Sequence, residues 1–238
     1  MITPSGIRAM SRPELLAFLS EAKLDEEEAL AVLDNRHATA EICQAIAQNS
    51  KLTSFYSVRA KLVAHRATPQ GIALKYLHHL YWSDLLRVSV DVRVPPPIRR
   101  AADNQLLARV PKLTIGERTT TARSGSRELL KALIHDPDPK VFGALLDNTR
   151  LLQEDLVALI GSERARVHQL TMIANSRKWS SRRAIRLALV ENPDTPRAVA
   201  ASQLRFLSRE DLRAIHARAE TSTYLRRCIE RMAPELTA

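Results

Sequence analysis

His78 and His79 are the only adjacent histidines in this chain, and Cys43 and Cys228 are its only cysteines. These are the side chains best suited to holding a metal or acting as a nucleophile. Neighbouring residues on a helix point about 100° apart, so the histidine pair cannot readily chelate one ion. No His-x-x-x-His spacing occurs, and the cysteines are too far apart in sequence for a metal-ligand pattern or a disulfide framework. They are expected as reduced thiols, buried or half-buried. No Gly-x-x-x-x-Gly-Lys loop, Gly-x-Gly-x-x-Gly fingerprint or Gly-x-Ser-x-Gly elbow is present. The sequence therefore points to no catalytic residue, no metal and no cofactor.

The remaining chemistry is that of binding. Arg99-Arg100 and Arg226-Arg227 form two arginine pairs, and Arg182-Arg183 with Arg186 forms a third cluster. Each reads either as a solvated helix face with local ion pairs or as part of a basic stripe that meets an acidic partner. The formal charge of +10 is unevenly placed: residues 58–127 carry 13 basic and 4 acidic side chains, and residues 160–238 carry 15 and 8. The other two stretches, 1–57 and 128–159, are net acidic. Tyr81 and Trp82 close the most distinctive local run, Tyr76-Leu77-His78-His79-Leu80-Tyr81-Trp82. They read as packing residues or as an aromatic interface anchor.

The elements that position these residues are helices. Ala, Leu and Arg dominate, aromatics make up 4%, and only six glycines occur, which leaves little material for β-turns. The stretch Val58 to Leu107 aligns without a gap on Ile185 to Pro234 at a constant offset of 127, with 12 identical columns in 50. These include Arg59/Arg186, Thr68/Thr195, Pro69/Pro196, Asp84/Asp211 and both arginine pairs. A partial third copy runs from Leu133 to Ile160, with Asp155 in the Asp84/Asp211 column, and a degenerate one fits near Leu33 to Ile46. In Asn192-Pro193-Asp194-Thr195-Pro196 an apolar helix ends at a residue type that tolerates the left-handed conformation. Thr195 is then expected as the N-cap of the next helix and Pro196 as its first residue, with Thr68 and Pro69 equivalent. Ser208-Arg209-Glu210-Asp211 has capping-box form, so Asp84, Asp155 and Asp211 are expected as helix caps.

The Asn-Pro-x-Thr-Pro stretch and the stretch Asp91 to Ala101 resemble the HEAT-like and variant leucine-rich α-helical repeat proteins of bacteria, over roughly residues 30–236. The resemblance implies an all-α fold, an α-solenoid of short antiparallel helix pairs whose neighbours must stack to bury their apolar faces. The iron–sulfur module that the variant leucine-rich class can carry is not implied, because its cysteine cluster is missing. The expected organisation is acidic capping helices at 1–57, a first repeat copy at 58–115, a loop or linker at 116–127 and the second half of the solenoid at 128–238. Met1 to Gly6 reads as a loose end, Met1 to Met10 lacks the apolar core of a signal peptide, and no stretch is long and apolar enough for membrane insertion. A cytoplasmic location is expected.

The function expected from all this is a non-enzymatic scaffold whose concave basic surface engages a protein or peptide partner of acidic character. The candidate contacts are Arg99, Arg100, Arg182, Arg183, Arg226, Arg227, Tyr81 and Trp82. The alternative is nucleic-acid binding, since some HEAT-like solenoids clasp duplex DNA and one bacterial class of alkylpurine DNA glycosylases is built this way. Trp82 and Trp179 would be the residues to examine for that activity, although no motif of that class is found. The oligomeric state is not written in the sequence.

Overall fold

The computed structural model describes residues 3–21 and 24–234, and among them the fold is all-α, with no strand. The chain divides into two compact units: residues 1–113 with 124–126, and residues 114–123 with 127–238.

In the first unit the helices are α1 (Pro4–Ala9), α2 (Arg12–Glu21), α3 (Glu26–Leu33), α4 (Ala40–Gln48), α5 (Tyr56–Ala64), α6 (Gln70–Leu77), α7 (Trp82–Val90) and α8 (Pro96–Arg109). Short 3₁₀ turns sit at Leu52–Ser54 and Val110–Lys112. Helices α1, α3, α5 and α7 pack one on the next, while α6 and α8 pack on α5 and α7 and on each other. The apolar residues Leu62, Val63, Leu77, Leu85 and Ile98 are buried between the two rows. The second unit holds α9 (Ile115–Ser124), α10 (Arg127–Leu133), α11 (Pro139–Asp147), α12 (Gln153–Ile160), α13 (Val167–Asn175), α14 (Arg177–Ser180), α15 (Arg183–Glu191), α16 (Arg197–Leu204), α17 (Arg209–Ala217) and α18 (Thr223–Met232). There α10 pairs with α11, α15 with α16 and α17 with α18, and α12 packs on α15. Most helices are two to three turns long, too short to be stable in isolation, so their order comes from packing.

The segment expected as a loop at 116–127 is mostly the helix α9. Thr114 and Glu117 make a capping box: Thr114 N–H donates to Glu117 Oε2 at 2.8 Å, and Glu117 N–H donates to Thr114 Oγ1 at 3.3 Å. The hydroxyls of Thr119, Thr120 and Thr121 turn back onto carbonyls four residues earlier, which removes the competition that makes such residues favour loops. Arg118 pairs with Asp136 at 2.7 Å. The expected loose end likewise contains a helix, α1, with Thr3 as its N-cap and Ile7 buried; Met1 and Ile2 lie outside the described residues.

Two devices join successive helices. The first sits where a helix ends. Asn35, His65, Asp91, Asn148 and Asn192 each accept, through the side chain, the N–H two residues on, at 2.7, 3.2, 2.9, 2.8 and 2.7 Å. Their carbonyls accept the N–H three residues on, from Ala38, Thr68, Val94, Leu151 and Thr195, all of which are buried. The asparagines also reach back: Asn35 Nδ2 donates to the carbonyls of Ile7 and Met10, Asn148 Nδ2 to Ala122, and Asn192 Nδ2 to Ile160. Asn192 is therefore extended at φ −78°, ψ 121°, rather than left-handed, and no described residue has positive φ. The side chain closes the turn, so the backbone does not need glycine at the helix end.

This turn also moves the expected cap by one residue. Pro69 and Pro196 are the N-caps of α6 and α16, not their first helical residues. Thr68 and Thr195 stand one position earlier, 6% and 5% exposed, and neither hydroxyl caps a helix. A small β-branched residue fills the hollow under the turn, as Val94 does in the intervening copy.

The second device joins the start of one helix to the start of the helix stacked on it. Asp84, Asp155 and Asp211 occupy the third positions of α7, α12 and α17, and their partners stand on the first residues of α5, α10 and α15. Arg183 grips Asp211 with two nitrogens, while Asp211 and Ser208 form a complete capping box. Arg127 reaches Asp155 at 3.3 Å, and Asp155 accepts the Leu152 N–H at 3.1 Å. At Asp84 a hydroxyl is interposed: Tyr81 N–H donates to Tyr56 Oη at 3.1 Å, and Tyr56 O–H donates to Asp84.

The Arg183 guanidinium, with the Ser208 hydroxyl and N–H, holds the Asp211 carboxyl down at about 2, below its ordinary 3.8. A carboxyl lowered on folding stabilises the fold above its ordinary value and loses that contribution as pH falls towards the folded one. Acid titration of stability should therefore steepen between pH 4 and 2, and Asp211→Asn should flatten that limb; an unchanged limb would show that the pair is not formed. Asn192→Ala should cost about 1–3 kcal/mol in denaturant unfolding, because it leaves the Ile160 carbonyl and the Asp194 N–H without partners. Thr195→Val should stay within about 0.5 kcal/mol of wild type, or exceed it, since a buried hydroxyl without a capping role is lost. A loss above about 1 kcal/mol on Thr195→Val would show that the hydroxyl caps α16 after all.

Candidate binding surface

Most of the arginines expected as contacts are committed to the fold. Arg183 is held by Asp211. Arg182 lies over the Trp179 ring at 4.6 Å. Arg226 donates to the carbonyls of Arg218 and Ala219 at 2.7 and 3.0 Å, tying down the end of α17. Arg99 is half-buried with its Nε enclosed. Only Arg100 and Arg227, of the named set, are exposed without such an anchor. They lie in different units. Guanidinium groups bonded to carbonyls and carboxylates of their own chain serve first to position helices.

The aromatic candidates separate as well. Tyr81 is 66% exposed and stacks on Tyr56, with ring centroids 4.6 Å apart. Trp82 is half-buried at the first position of α7. Trp179 is fully enclosed and donates Nε1–H to the Leu146 carbonyl at 2.9 Å, so its ring presents no open face to a nucleobase.

A different part of the first unit is open. Between α5 and α7 runs a trough of about 420 Å³. Ser57, Ala60, Ala64 and Val88 form its floor, and Lys61, Asp84, Arg87, Asp91 and Arg93 stand around it. Small side chains at successive turns of α5, Ser57, Ala60 and Ala64, make the hollow, since beyond Tyr56 none of them is long enough to reach across to α7. Asp84 and Asp91 do not leave free negative charge here. Tyr56 and Arg87 occupy Asp84, and Arg93 holds Asp91 in a side-on pair at 2.7–3.2 Å that also lowers the Asp91 carboxyl below its ordinary range.

The trough opens at one end into a recess of about 360 Å³ between the turns that follow α3 and α5. Arg36, Lys61, His65, Arg66 and Arg93 line it, with Asp34 as its one carboxylate. Asp34 is taken up by Lys61 and, at 3.7 Å, by Arg8. Lys61, Ala64 and Arg93 belong to both hollows, so the two form one continuous surface. The fold places these cations: Arg36 and Arg66 directly follow the joint residues Asn35 and His65, and Arg93 is two residues past Asp91. Side chains just beyond a turn closed by its own side chain are pushed outward, and three successive turns deliver three arginines to one edge.

The local field is felt by His65, whose imidazolium is disfavoured first by burial and then by Arg66 and Lys61. Its Nδ1 accepts the Ala67 N–H at 3.2 Å and lies 3.3 Å from the Cys43 sulfur. Cys43 is fully buried, and burial raises its thiol above the ordinary value, so the pair is a neutral packing contact rather than an activated nucleophile. Among the described residues no group of three His, Cys, Asp or Glu side chains is placed to hold a metal, and no helix is long and apolar enough to cross a membrane.

The sequence signal for this surface was available but indirect. It consists of an arginine one or two positions after each joint residue of the first unit, with alanines at 60 and 64, where the later copy has Leu187 and Glu191. Compared with known protein families, with curated proteins and with solved structures, the chain finds no significant match.

Proposed function

We propose that the chain is a non-enzymatic binding scaffold, an α-solenoid of HEAT-like helix pairs, that holds an extended acidic peptide on the α5–α7 face of its first unit. The observation that carries this reading is the continuity of an apolar-floored trough with a cationic recess through Lys61, Ala64 and Arg93. The apolar floor suits a side chain, and the recess suits carboxylates, which a guanidinium meets with two parallel hydrogen bonds. A nucleic-acid strand is the poorer fit. Phosphates would find Arg36, Arg66 and Arg93, but the one ring that lines the trough, Tyr56, already packs against Tyr81 and is tied to Asp84, which leaves it poorly placed to stack on a base. Helical-repeat proteins bind along such stacked faces without chemistry of their own. The arginine pairs of the second unit belong, on this reading, to helix joints rather than to the partner.

Selection of random 12-residue peptides displayed on phage tests the reading. Recovered peptides should be enriched in Asp and Glu beside an aliphatic residue. Their binding should fall about tenfold or more on Arg66→Glu with Arg93→Glu, and by less than about twofold on Arg227→Glu. Peptides without an acidic preference, or tighter binding of a 12-base-pair DNA duplex with the same dependence on Arg66 and Arg93, would overturn it.

A further inference from the structure

The chain contains its own example of a filled trough. In the copy 127 residues on, α15 and α17 take the places of α5 and α7, and Arg183–Asp211 replaces Tyr56–Asp84 as the clamp between them. The residues in the trough columns differ. Where α5 has Ala60, α15 has Leu187, partly buried against the core of Val190, Leu212 and Ile215. Where the first copy has Ala64 facing Asp91, the later one has Glu191 and Arg218, whose charged ends meet at 2.6 Å. An aliphatic side chain and a carboxylate thus occupy in cis the columns that the first copy leaves to alanine, with Glu191 and Arg218 partly exposed at the edge of a further hollow of about 500 Å³.

The surroundings changed in the complementary sense. Lys61, Arg87 and Arg93 in the first copy stand where the later copy has Ala188, Ala214 and Glu220. The copy without the leucine and the glutamate thus carries around the hollow three cations that the later copy lacks, and Asp91 where the later copy has Arg218. Each cation is paired within the chain, Lys61 with Asp34, Arg87 with Asp84 and Arg93 with Asp91, but the Arg87 and Arg93 side chains are 77% and 81% exposed and keep donors free to meet a further carboxylate.

We infer that the partner supplies what Leu187 and Glu191 supply in the later copy: a leucine-sized aliphatic side chain seated on Ala60, Ala64 and Val88, beside a carboxylate that meets Lys61, Arg87 or Arg93. This rests on the peptide-binding reading above and narrows it to an aliphatic anchor flanked by acid. The intermediate copy fits neither state. Between α10 and α12 a smaller hollow of about 270 Å³ has Lys131 and His135 in the columns of Ala60 and Ala64, so long polar side chains stand where the anchor would sit.

The test uses the full chain and three synthetic peptides, Gly-Ser-Glu-Leu-Glu-Glu-Ser-Gly, the same with Leu replaced by Ser, and the same with every Glu replaced by Gln. Titrations are followed by ¹H–¹⁵N spectra. The first peptide should give saturable shifts at Ala60, Lys61, Ala64 and Val88, and each control should bind about tenfold more weakly or worse. Ala60→Leu with Ala64→Glu, which copies the later repeat into the first, should abolish those shifts while leaving helix content and thermal midpoint at or above wild type. Equal binding of the Leu and Ser peptides, no saturable shift with the first peptide, or full binding by the Ala60→Leu/Ala64→Glu variant would overturn the inference. If acidic peptides from the display selection still depend on Arg66 and Arg93 while ignoring Ala60→Leu, the scaffold reading stands and only the aliphatic anchor is lost.

Discussion

A helix of two or three turns exposes nearly as many unsatisfied backbone groups at its ends as it satisfies inside. In this chain that constraint governs everything else. The last carbonyls and the first N–H groups of each short helix must find partners beyond the helix, and they find them on the helices that follow or stack beside it. Asn35, Asn148 and Asn192 each serve two ends at once, accepting an N–H of their own turn and donating to a carbonyl of an earlier helix. Elsewhere the donor is longer: Gln169 reaches the Ile134 carbonyl, Arg109 that of Leu80 and Lys178 those of Leu146 and Asn148. The requirement is constant, and the residue that meets it varies.

That variation explains what could be read from the sequence. The all-α fold was legible because the apolar spacing, the near absence of glycine and the proline-marked turns agree with one another. The caps at Asp155 and Asp211 were legible because an acid at the third helical position is a local signal, but at Asp84 the Tyr56 hydroxyl takes the helix-end N–H instead. The register of Thr195-Pro196 was not, because a proline at the N-cap and a proline at the first helical position have nearly the same φ and differ only in where the turn before them closes. That closure depends on the Asn192 side chain reaching Ile160, a contact 32 residues away. The helix α9 was missed for the same kind of reason. Three consecutive threonines read as loop until their hydroxyls are seen to bond to their own helix.

The arginines show the limit most clearly. A sequence displays their number and clustering but not what each guanidinium touches. Arg183 and Arg226 recur or cluster because a joint needs a long donor at that place, and recurrence in a repeat marks structural need before it marks binding. Of each repeated pair only one member, Arg100 or Arg227, is left open, whereas Arg36 and Arg66 belong to no repeated pair and follow turns already closed by Asn35 and His65.

Duplication of a packing unit gives a protein two ways to treat the same groove. Where both walls carry side chains long enough to meet, as Glu191 and Arg218 do, an ion pair spans the groove within the chain while its ends stay partly exposed. Where one wall is reduced to alanine, the two helices remain in place only because other contacts fix their separation. Here the Tyr56–Asp84 clamp at one end and the His65 and Asp91 turns at the other do so. The α5–α7 pair can therefore stay apart without a filling, which a groove must do if it is to wait for a ligand rather than collapse. The stability of the joints and the openness of the surface are thus one property: the end-to-end bonds carry the spacing, and the face between them is left free to differ from copy to copy.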